Sequence, residues 1–360
     1  MINRRDSFVR LGAGLAITSV GLFGCNSLSG RLVKPKWEDF DSVVDGVSPD
    51  IGKWASVCLV EGSETKPSFK WFHYKDSAKA VNFWPASTIK VYTVVAALEL
   101  LNEIEMPLNS IVIFERKHEG KWLLDTSRTM PEMVSEIFRR SSNEDYTLLL
   151  RMVGIDRINT RFLTESRGFP GSALMRGYVS NRPYLYIRTE PQRITVLTLA
   201  GQSKTIEHTW SGRSYSRERG ATVLSETTGN CTSTRELAEC LRRILFHEHL
   251  PEGDRYHLTG EQLAFLREGR EGLTGLRNTK GFVAESAREI FPKARFYHKE
   301  GLISTYSLDL AYVDDSAQSG KRYLISIAAN SGKDTTVKAM SRAIAAWVCL
   351  LYTSPSPRDA

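Results

Sequence analysis

The chain is poor in the residues that build metal centres and disulfide scaffolds. Its 360 residues include only five cysteines and seven histidines, and none falls at a metal-ligand spacing, so neither a metal nor another cofactor is expected. His118, His208, His247 and His249 read as loop or helix-end residues. Charge of one sign is scarce as well. The 48 Lys+Arg against 41 Asp+Glu leave a net charge of +7, dispersed and without an arginine stripe or RNA-type motif, so nucleic acid is not an expected partner. The apolar run from Leu11 to Phe23 is too short to read as a membrane span. What the chain does have is 41% hydrophobic and 10% aromatic content. That is enough to bury a sizeable core without metals or disulfides, and it is read as a globular monomer.

Both ends stand apart from that core. "MINRRDSFVRLGAGLAITSVGLFGC" places Arg4, Arg5 and Arg10 around the start of the apolar run, the pattern of an export signal. Its ending "LFGC" resembles a bacterial lipobox, which implies cleavage before Cys25 and diacylation of its sulfur. On that reading residues 1–24 are a lipoprotein signal and 25–36 a lipid anchor and tether, and the protein is exported, periplasmic or extracytoplasmic, with the membrane as a partner through its anchor. "CLLYTSPSPRDA", 349–360, resembles a translated sequencing adapter and is expected to be an artefact outside the fold. Cys58, Cys231 and Cys240 remain, and both a Cys231–Cys240 disulfide and buried free thiols are open.

Between the ends, hydrophobic periodicity changes twice. "WASVCLV" and "SFKWFHYK" read as strands around the turn "EGSETKPS". A helix follows from Ser87, with Val91, Val94, Val95, Leu98 and Leu101 at helical spacing. Helical patterns recur in "PEMVSEIFRR", "NEDYTLLLRMVG", "IDRINTRFLTESRG", "TSTRELAECLRRILFHE" and "GEQLAFLREG". From Ala294 strands return in "RFYHKEG", "TYSLDLAYVDD" and "KRYLISIAAN", before a last helix from about Asp334. The pattern predicts one sheet built from both chain ends, 37–85 and 293–348, with a helical domain, 86–292, inserted between them. Residues 181–226 fit poorly. "RPYLYIRTE" and "RITVLTLAG" alternate like strands about "PQ", and the segment is read as an insertion.

Two S-x-x-K tetrads occur, "SETK" at 63–66 in the predicted turn and "STIK" at 87–90 at the predicted helix start. In the second, Lys90 lies one turn from Ser87 on the same face. A serine hydroxyl is a weak nucleophile until a base takes its proton, and a lysine can do so only when burial or nearby cations lower its pKa. A helix N-terminus also presents N–H groups to a developing oxyanion. "RRSSNEDYTLLL" adds Ser141 and Asn143 as S-x-N at a helix break, and "FYHKEG" adds Lys299 and Gly301 as K-x-G on a strand. Singly, these could be a helix cap and an edge-strand charge.

In this order and on these elements, the three motifs resemble the penicillin-recognising serine hydrolases, most closely the class A β-lactamases. The gap from Ser87 to Ser141 is 54 residues, and the likeness extends over about 50–348. It implies an α/β (α+β) fold of the β-lactamase/transpeptidase type, with an antiparallel sheet, flanking helices and an inserted all-helical domain. It also implies roles. Ser87 would be the acylated nucleophile and Lys90 its base or relay. Ser141 would pass a proton to the leaving nitrogen. Asn143 would bind the acyl-side amide and Lys299 would supply positive potential. The oxyanion hole would use the backbone N–H groups of Ser87 and Leu302. Trp122 falls where the family often has an aromatic residue at the cleft mouth, and a core tryptophan is the alternative.

Two departures bear on activity. The middle of K-x-G is Glu300, where the family has a hydroxyl that helps hold a substrate carboxylate. Direct spacing puts Tyr178, in "LMRGYVSN", at the position of the family's deacylating glutamate, with Arg176 matching the preceding arginine. "IRTEP", with Glu190, fits that motif better but lies about a dozen residues later. The lead expectation is a β-lactamase-type serine hydrolase. A D-Ala-D-Ala peptidase or transpeptidase, a small-ester hydrolase and a non-catalytic cell-wall-binding lipoprotein are the alternatives.

Overall fold

Strand β1 (Lys53–Gly62) is buried over its first eight residues, as expected of a central strand covered on both faces. The computed structural model describes residues 40–179, 191–223, 229–278 and 280–351. The hairpin partner of β1 is β2 (Pro67–His73), and "SETK" lies in the turn between them. From the C-terminal part come β7 (Arg295–Leu302), β8 (Ser307–Asp315) and β9 (Lys321–Ala329). The five make an antiparallel sheet in the order β2-β1-β9-β8-β7, as the sequence predicts.

The period of two decides which side chains go where. Val57, Leu59, Ala311, Val313, Ile325 and Ile327 join one core with α1 (Phe40–Asp45), α9 (Phe282–Ala287) and α10 (Thr335–Leu351). Cys58, Val60, Leu310, Tyr312 and Leu324 face the opposite core, shared with α2 (Lys90–Glu103) and α7 (Thr234–Leu245). Trp347 of α10 anchors the first core, with its ring centroid 5.0 Å from that of Phe40 and 5.1 Å from that of Phe72. The helix runs to Leu351, past the boundary expected at Val348, because "CLL" continues its apolar run.

The inserted region holds α2, α3 (Met130–Arg140), α4 (Asn143–Val153), α7 and α8 (Gly260–Glu268), but it is not all-helical. A second antiparallel sheet, ordered β4-β3-β5-β6, is built from β3 (Ile111–His118), β4 (Lys121–Thr129), β5 (Gln192–Leu197) and β6 (Ser203–His208). Only alternate residues such as Val112 and Phe114 are fully buried, so β3 and β4 lack the apolar density that marks a strand in sequence. Their turn, Glu119-Gly120, has positive φ at both positions, 48° and 79°, the primed geometry that matches hairpin twist. Strand β5 pairs with β3 and with β6. The partner expected for it, "RPYLYIRTE", lies outside the described residues. "IDRINTRFLTESRG" forms only a short α5 (Ile155–Arg157) running into a π turn and a 3-10 turn, and "SGRSYSRERG" holds the short α6 (Tyr215–Glu218).

Cys58, Cys231 and Cys240 are free and buried, and burial pushes each thiol up to about 12. They are therefore inert core residues, and Cys231 and Cys240 are not bridged. His208 ends β6 and its Nε2–H donates to the Arg151 carbonyl at 2.6 Å, while His247 and His249 lie in a turn after α7.

Replacing Trp347 with alanine empties the aromatic anchor of one face of the sheet. Trp347→Ala is expected to lower stability by about 3–5 kcal/mol, read as a shift of the urea unfolding midpoint.

Candidate active site

Between β2 and α2 the chain turns over Phe83 and Trp84, which pack in an apolar cluster with Trp54, Ala86, Tyr306 and Leu308. A single 3-10 turn, Ala86–Ile89, then carries Ser87, so Lys90 is the first residue of α2 rather than its second turn. Ala86 has a positive φ of 46°, a conformation that costs a non-glycine residue about 1 kcal/mol or more. It is held there from two sides. The Tyr178 hydroxyl donates to the Ala86 carbonyl at 2.9 Å, and β7 presses against the turn. Ser87 is half-buried, and among the described residues its hydroxyl has no hydrogen-bond partner.

Lys90 is fully buried. Its Nζ donates to the Ser141 carbonyl at 2.6 Å, to Asn143 Oδ1 at 2.7 Å and to Ser141 Oγ at 3.3 Å. It also lies 5.7 Å from the ring centres of both Tyr146 and Tyr178. Burial, joined by the charge of Lys299 and partly opposed by Asp145, pushes the amine down to about 6. The amine is thus mostly neutral at pH 7, when its two hydrogens serve the Ser141 carbonyl and Asn143 Oδ1 and its lone pair can accept a proton, which answers the requirement set by the sequence.

The α3–α4 junction explains how S-x-N reaches this lysine. Ser141 ends α3 in the left-handed region, with φ 58° and ψ 40°, which turns its carbonyl and hydroxyl toward Lys90. Ser142 caps α4 by accepting the Asp145 N–H at 3.2 Å. The capping duty that could account for Ser141 therefore falls on its neighbour, and Ser141 stays free for the site.

Lys299 comes from β7 and is buried. Its Nζ donates to the Glu300 carbonyl at 2.8 Å, and burial lowers it to about 8 against the opposing charges of Glu300 and Asp309. The close packing of β7 on the nucleophile turn explains the glycine of K-x-G. A Cβ at Gly301 would stand 2.9 Å from the Ser87 nitrogen and 3.1 Å from the Ala86 Cβ, so a side chain there would force the two elements apart. Strand β7 is the last in its sheet. On its outer edge the His298 N–H donates to the Leu276 carbonyl. Alternation along the strand puts the N–H of Leu302 on the same edge, beside the turn that carries Ser87, while the Ile303 N–H turns inward to Tyr306. Glu300 lies across from Asp309 and on the same face as His298, opposite to the face of Lys299 and Gly301.

One wall is made by Tyr178. It stacks near Trp84 and Tyr146, and burial holds its phenol above the usual range, so it remains a donor. Asn230, just before α7, ties this wall together. Its Oδ1 accepts the Met175 and Arg176 N–H groups, and its Nδ2 donates to the hydroxyls of Tyr146 and Tyr178 and to the Arg176 carbonyl. Sequence reading passed over Asn230 and Asp145, because each acts through contacts distant in sequence or hidden inside a helix. Arg176 lies over the Trp84 ring, 4.8 Å from its centre. Trp122 lies near the β3–β4 turn, with Arg193 4.2 Å and Lys117 5.9 Å from its ring centre. Glu190 and Cys25 lie outside the described residues.

Comparisons with known proteins bear on the family and the fold. A sequence model described as the beta-lactamase enzyme family matches residues 70–349. Among solved structures, a β-lactamase from Sphaerobacter thermophilus aligns with a TM-score of 0.54 at 14% identity, covering 89% of this chain and 100% of its own. A class A β-lactamase from Bacteroides cellulosilyticus gives 0.54 and 14%, covering 90% and 100%. PBP-A gives 0.56 and 14%, covering 88% and 97%. At such identities the structural likeness speaks for the fold, and no relative is found among curated proteins. With its fold, its three motifs and a family match over most of its length in accord, the chain belongs to the β-lactamase enzyme family and is a serine-hydrolase-type enzyme.

Proposed function

We propose that Ser87 is acylated by a β-lactam or a D-Ala-D-Ala peptide and that the resulting ester is long-lived, so that the protein behaves as a penicillin-binding acyl-enzyme former. The observation that carries this reading is Tyr178. By spacing it takes the place of the deacylating glutamate, and its hydroxyl is committed to the Ala86 carbonyl under the nucleophile turn. A neutral phenol engaged as a donor cannot take a proton from an attacking water. PBP-A, one of the structural neighbours, is also known as a mutant in an acyl-enzyme complex with penicillin G. Rapid β-lactam hydrolysis is the second reading, favoured by "IRTEP" and its Glu190.

In the proposed acylation Ser87 Oγ attacks the substrate carbonyl carbon as Lys90 Nζ takes its proton. The N–H groups of Ser87 and Leu302 hold the oxyanion. When the tetrahedral intermediate collapses the C–N bond breaks, and the leaving nitrogen receives the Lys90 proton through Ser141 Oγ. Asn143 serves the acyl-side amide and Lys299 the negative charge of substrate and intermediate. The export-type N-terminus and "LFGC" support placing this chemistry outside the cytoplasm, tethered at Cys25. Metabolic palmitate labelling that is lost in Cys25→Ala would support this, and equal labelling of the variant would overturn it.

Intact-protein mass spectrometry with a penicillin is expected to show an adduct that lasts for minutes or longer and is absent in Ser87→Ala. An adduct that clears within seconds while hydrolysed drug accumulates would favour the second reading. No adduct on folded protein would remove both and leave the ester-hydrolase and binding-protein alternatives. Lys90→Ala should slow acylation by roughly 10²–10⁴-fold. Gly301→Val should block acylation, with the variant still folded by circular dichroism, because the added carbons meet the Ser87 backbone.

Acylation needs Lys90 unprotonated and Lys299 protonated. Its rate constant should therefore rise with pH through about 6 and fall through about 8, with the two limbs belonging to the interacting pair. Stopped-flow acylation with a chromogenic cephalosporin from pH 5 to 10 measures this. A profile flat across the range would contradict the assignment of the base.

A further inference from the structure

The face of β7 turned away from Ser87 holds a group of polar atoms that the acylation chemistry leaves unused. Asp309 of β8 is completely buried. One of its oxygens, Oδ2, accepts the Val283 N–H of α9 at 2.8 Å, while among the described residues Oδ1 has no hydrogen-bond partner. That spare oxygen stands 3.7 Å from Nδ1 of His298, whose two ring nitrogens are likewise buried and unpartnered. The ring is roofed by Gly281, where a Cβ would come within 2.4 Å of it. Buried polar atoms are nearly always satisfied, so three orphans at one spot, directly behind the strand that supplies Lys299, call for a reason. The other charged groups facing this spot are Glu300, the cross-strand neighbour of Asp309, Glu285 of α9 and, through its ion pair with Glu285, Lys338 of α10. The cation of the site itself, Lys299, lies on the other face of the same strand.

We propose that Asp309 is a positioning residue for acylation, a buried counter-charge that acts through β7 to keep Lys299 cationic, with the His298 imidazole filling the space that would otherwise admit screening water. Lys299 is desolvated, and its only hydrogen bond among the described residues is to the Glu300 carbonyl. Among the described residues no carboxylate makes an ion pair with it, and one on the ligand side would compete with an anionic substrate. A carboxylate behind the strand avoids that competition, because it supports the ammonium through low-dielectric interior without occupying the ligand side. The electrostatics have the same sign. Burial disfavours the ammonium, and Glu300 first and Asp309 second favour it.

The kinetic arm of the test rests on the acylation reading, and a second arm does not. Asp309→Asn keeps an acceptor for the Val283 N–H and removes the charge. The alkaline limb of the acylation profile should then move to lower pH by about one unit, while the acid limb set by Lys90 moves little. A purely structural role would lower the rate at every pH and leave the limb in place, and that result would overturn the proposal. The second arm needs no substrate. A lysine whose folded pKa lies below its unfolded value binds more protons when unfolded, so stability rises with pH between the two values. For Lys299 that window opens near 8 in the parent protein and should open about one unit lower in Asp309→Asn, seen in melting temperatures taken from pH 6.5 to 9. If Ser87 fails to acylate at all, this arm alone decides, and superimposable pH dependences of parent and variant would sink the counter-charge. Should Asp309→Asn not fold, Asp309→Ser offers a smaller uncharged acceptor with the same expected shifts.

Discussion

A buried amine organises this site. Lys90 sits at the first residue of α2 with no access to water, and an ammonium there would be costly without compensation. The molecule compensates in two ways. It supplies three oxygen acceptors from the α3–α4 junction, and it lowers the proton affinity of the amine through burial and a second lysine. The same contacts that make Lys90 tolerable also fix Ser141 and Asn143 relative to the nucleophile turn. The base, the relay and the amide-binding group are therefore one packing arrangement. This is why Ser141 holds a left-handed conformation that few serines adopt.

The second constraint is the seam between the sheet and the inserted body. Strand β7 comes late in the chain and ends the sheet, leaving an unpaired edge. In most proteins such an edge is a hazard. Here the nucleophile turn covers one part of it and the 276–278 segment another. The uncovered N–H of Leu302 lies between protein and ligand space. The sheet, assembled from both chain ends, is thus the device that brings residue 302 next to residue 87.

Legibility in the sequence followed physical type. The central strands of the main sheet were readable because burial on both faces makes them dense in apolar and β-branched residues, as in "WASVCLV" and "KRYLISIAAN", and the edge strand β2 was readable from its alternation. The helices carrying Lys90 and Asn143 were readable from periodicity. The decoy "SETK" was separable from "STIK" because only the latter leads into an apolar periodic run. The second sheet was not readable, since β3 buries only two alternate residues, β4 fully buries none, and the pair turns on Glu119-Gly120 rather than on a strong hairpin dipeptide. The sequence could align Tyr178 with a missing acid but could not reveal that its hydroxyl holds Ala86. Asn230 and Asp309 were invisible for a similar reason, as their partners lie tens of residues away or on a neighbouring strand. That Glu300 faces away from Lys299 and Gly301 follows from the period of two once the segment is a strand, but which of the two faces meets Ser87 depends on register, which spacing alone does not fix.

The bond from Tyr178 to Ala86 has a consequence for how this protein could change. Ala86 is a strained residue immediately before the nucleophile, and the Tyr178 hydroxyl is the donor that holds its carbonyl. A carboxylate at position 178 would supply a water-activating base, but an ionised carboxylate can only accept hydrogen bonds. The step that adds a route for hydrolysis would therefore remove a support from the turn it is meant to serve, and would set a second acceptor against a carbonyl that has just lost its donor. A lineage moving from durable acylation to turnover would cross a loss of nucleophile order before it gained speed, unless a new donor to Ala86 arrived first. Epistasis of this kind makes the order of substitutions, more than their number, the barrier between the two behaviours.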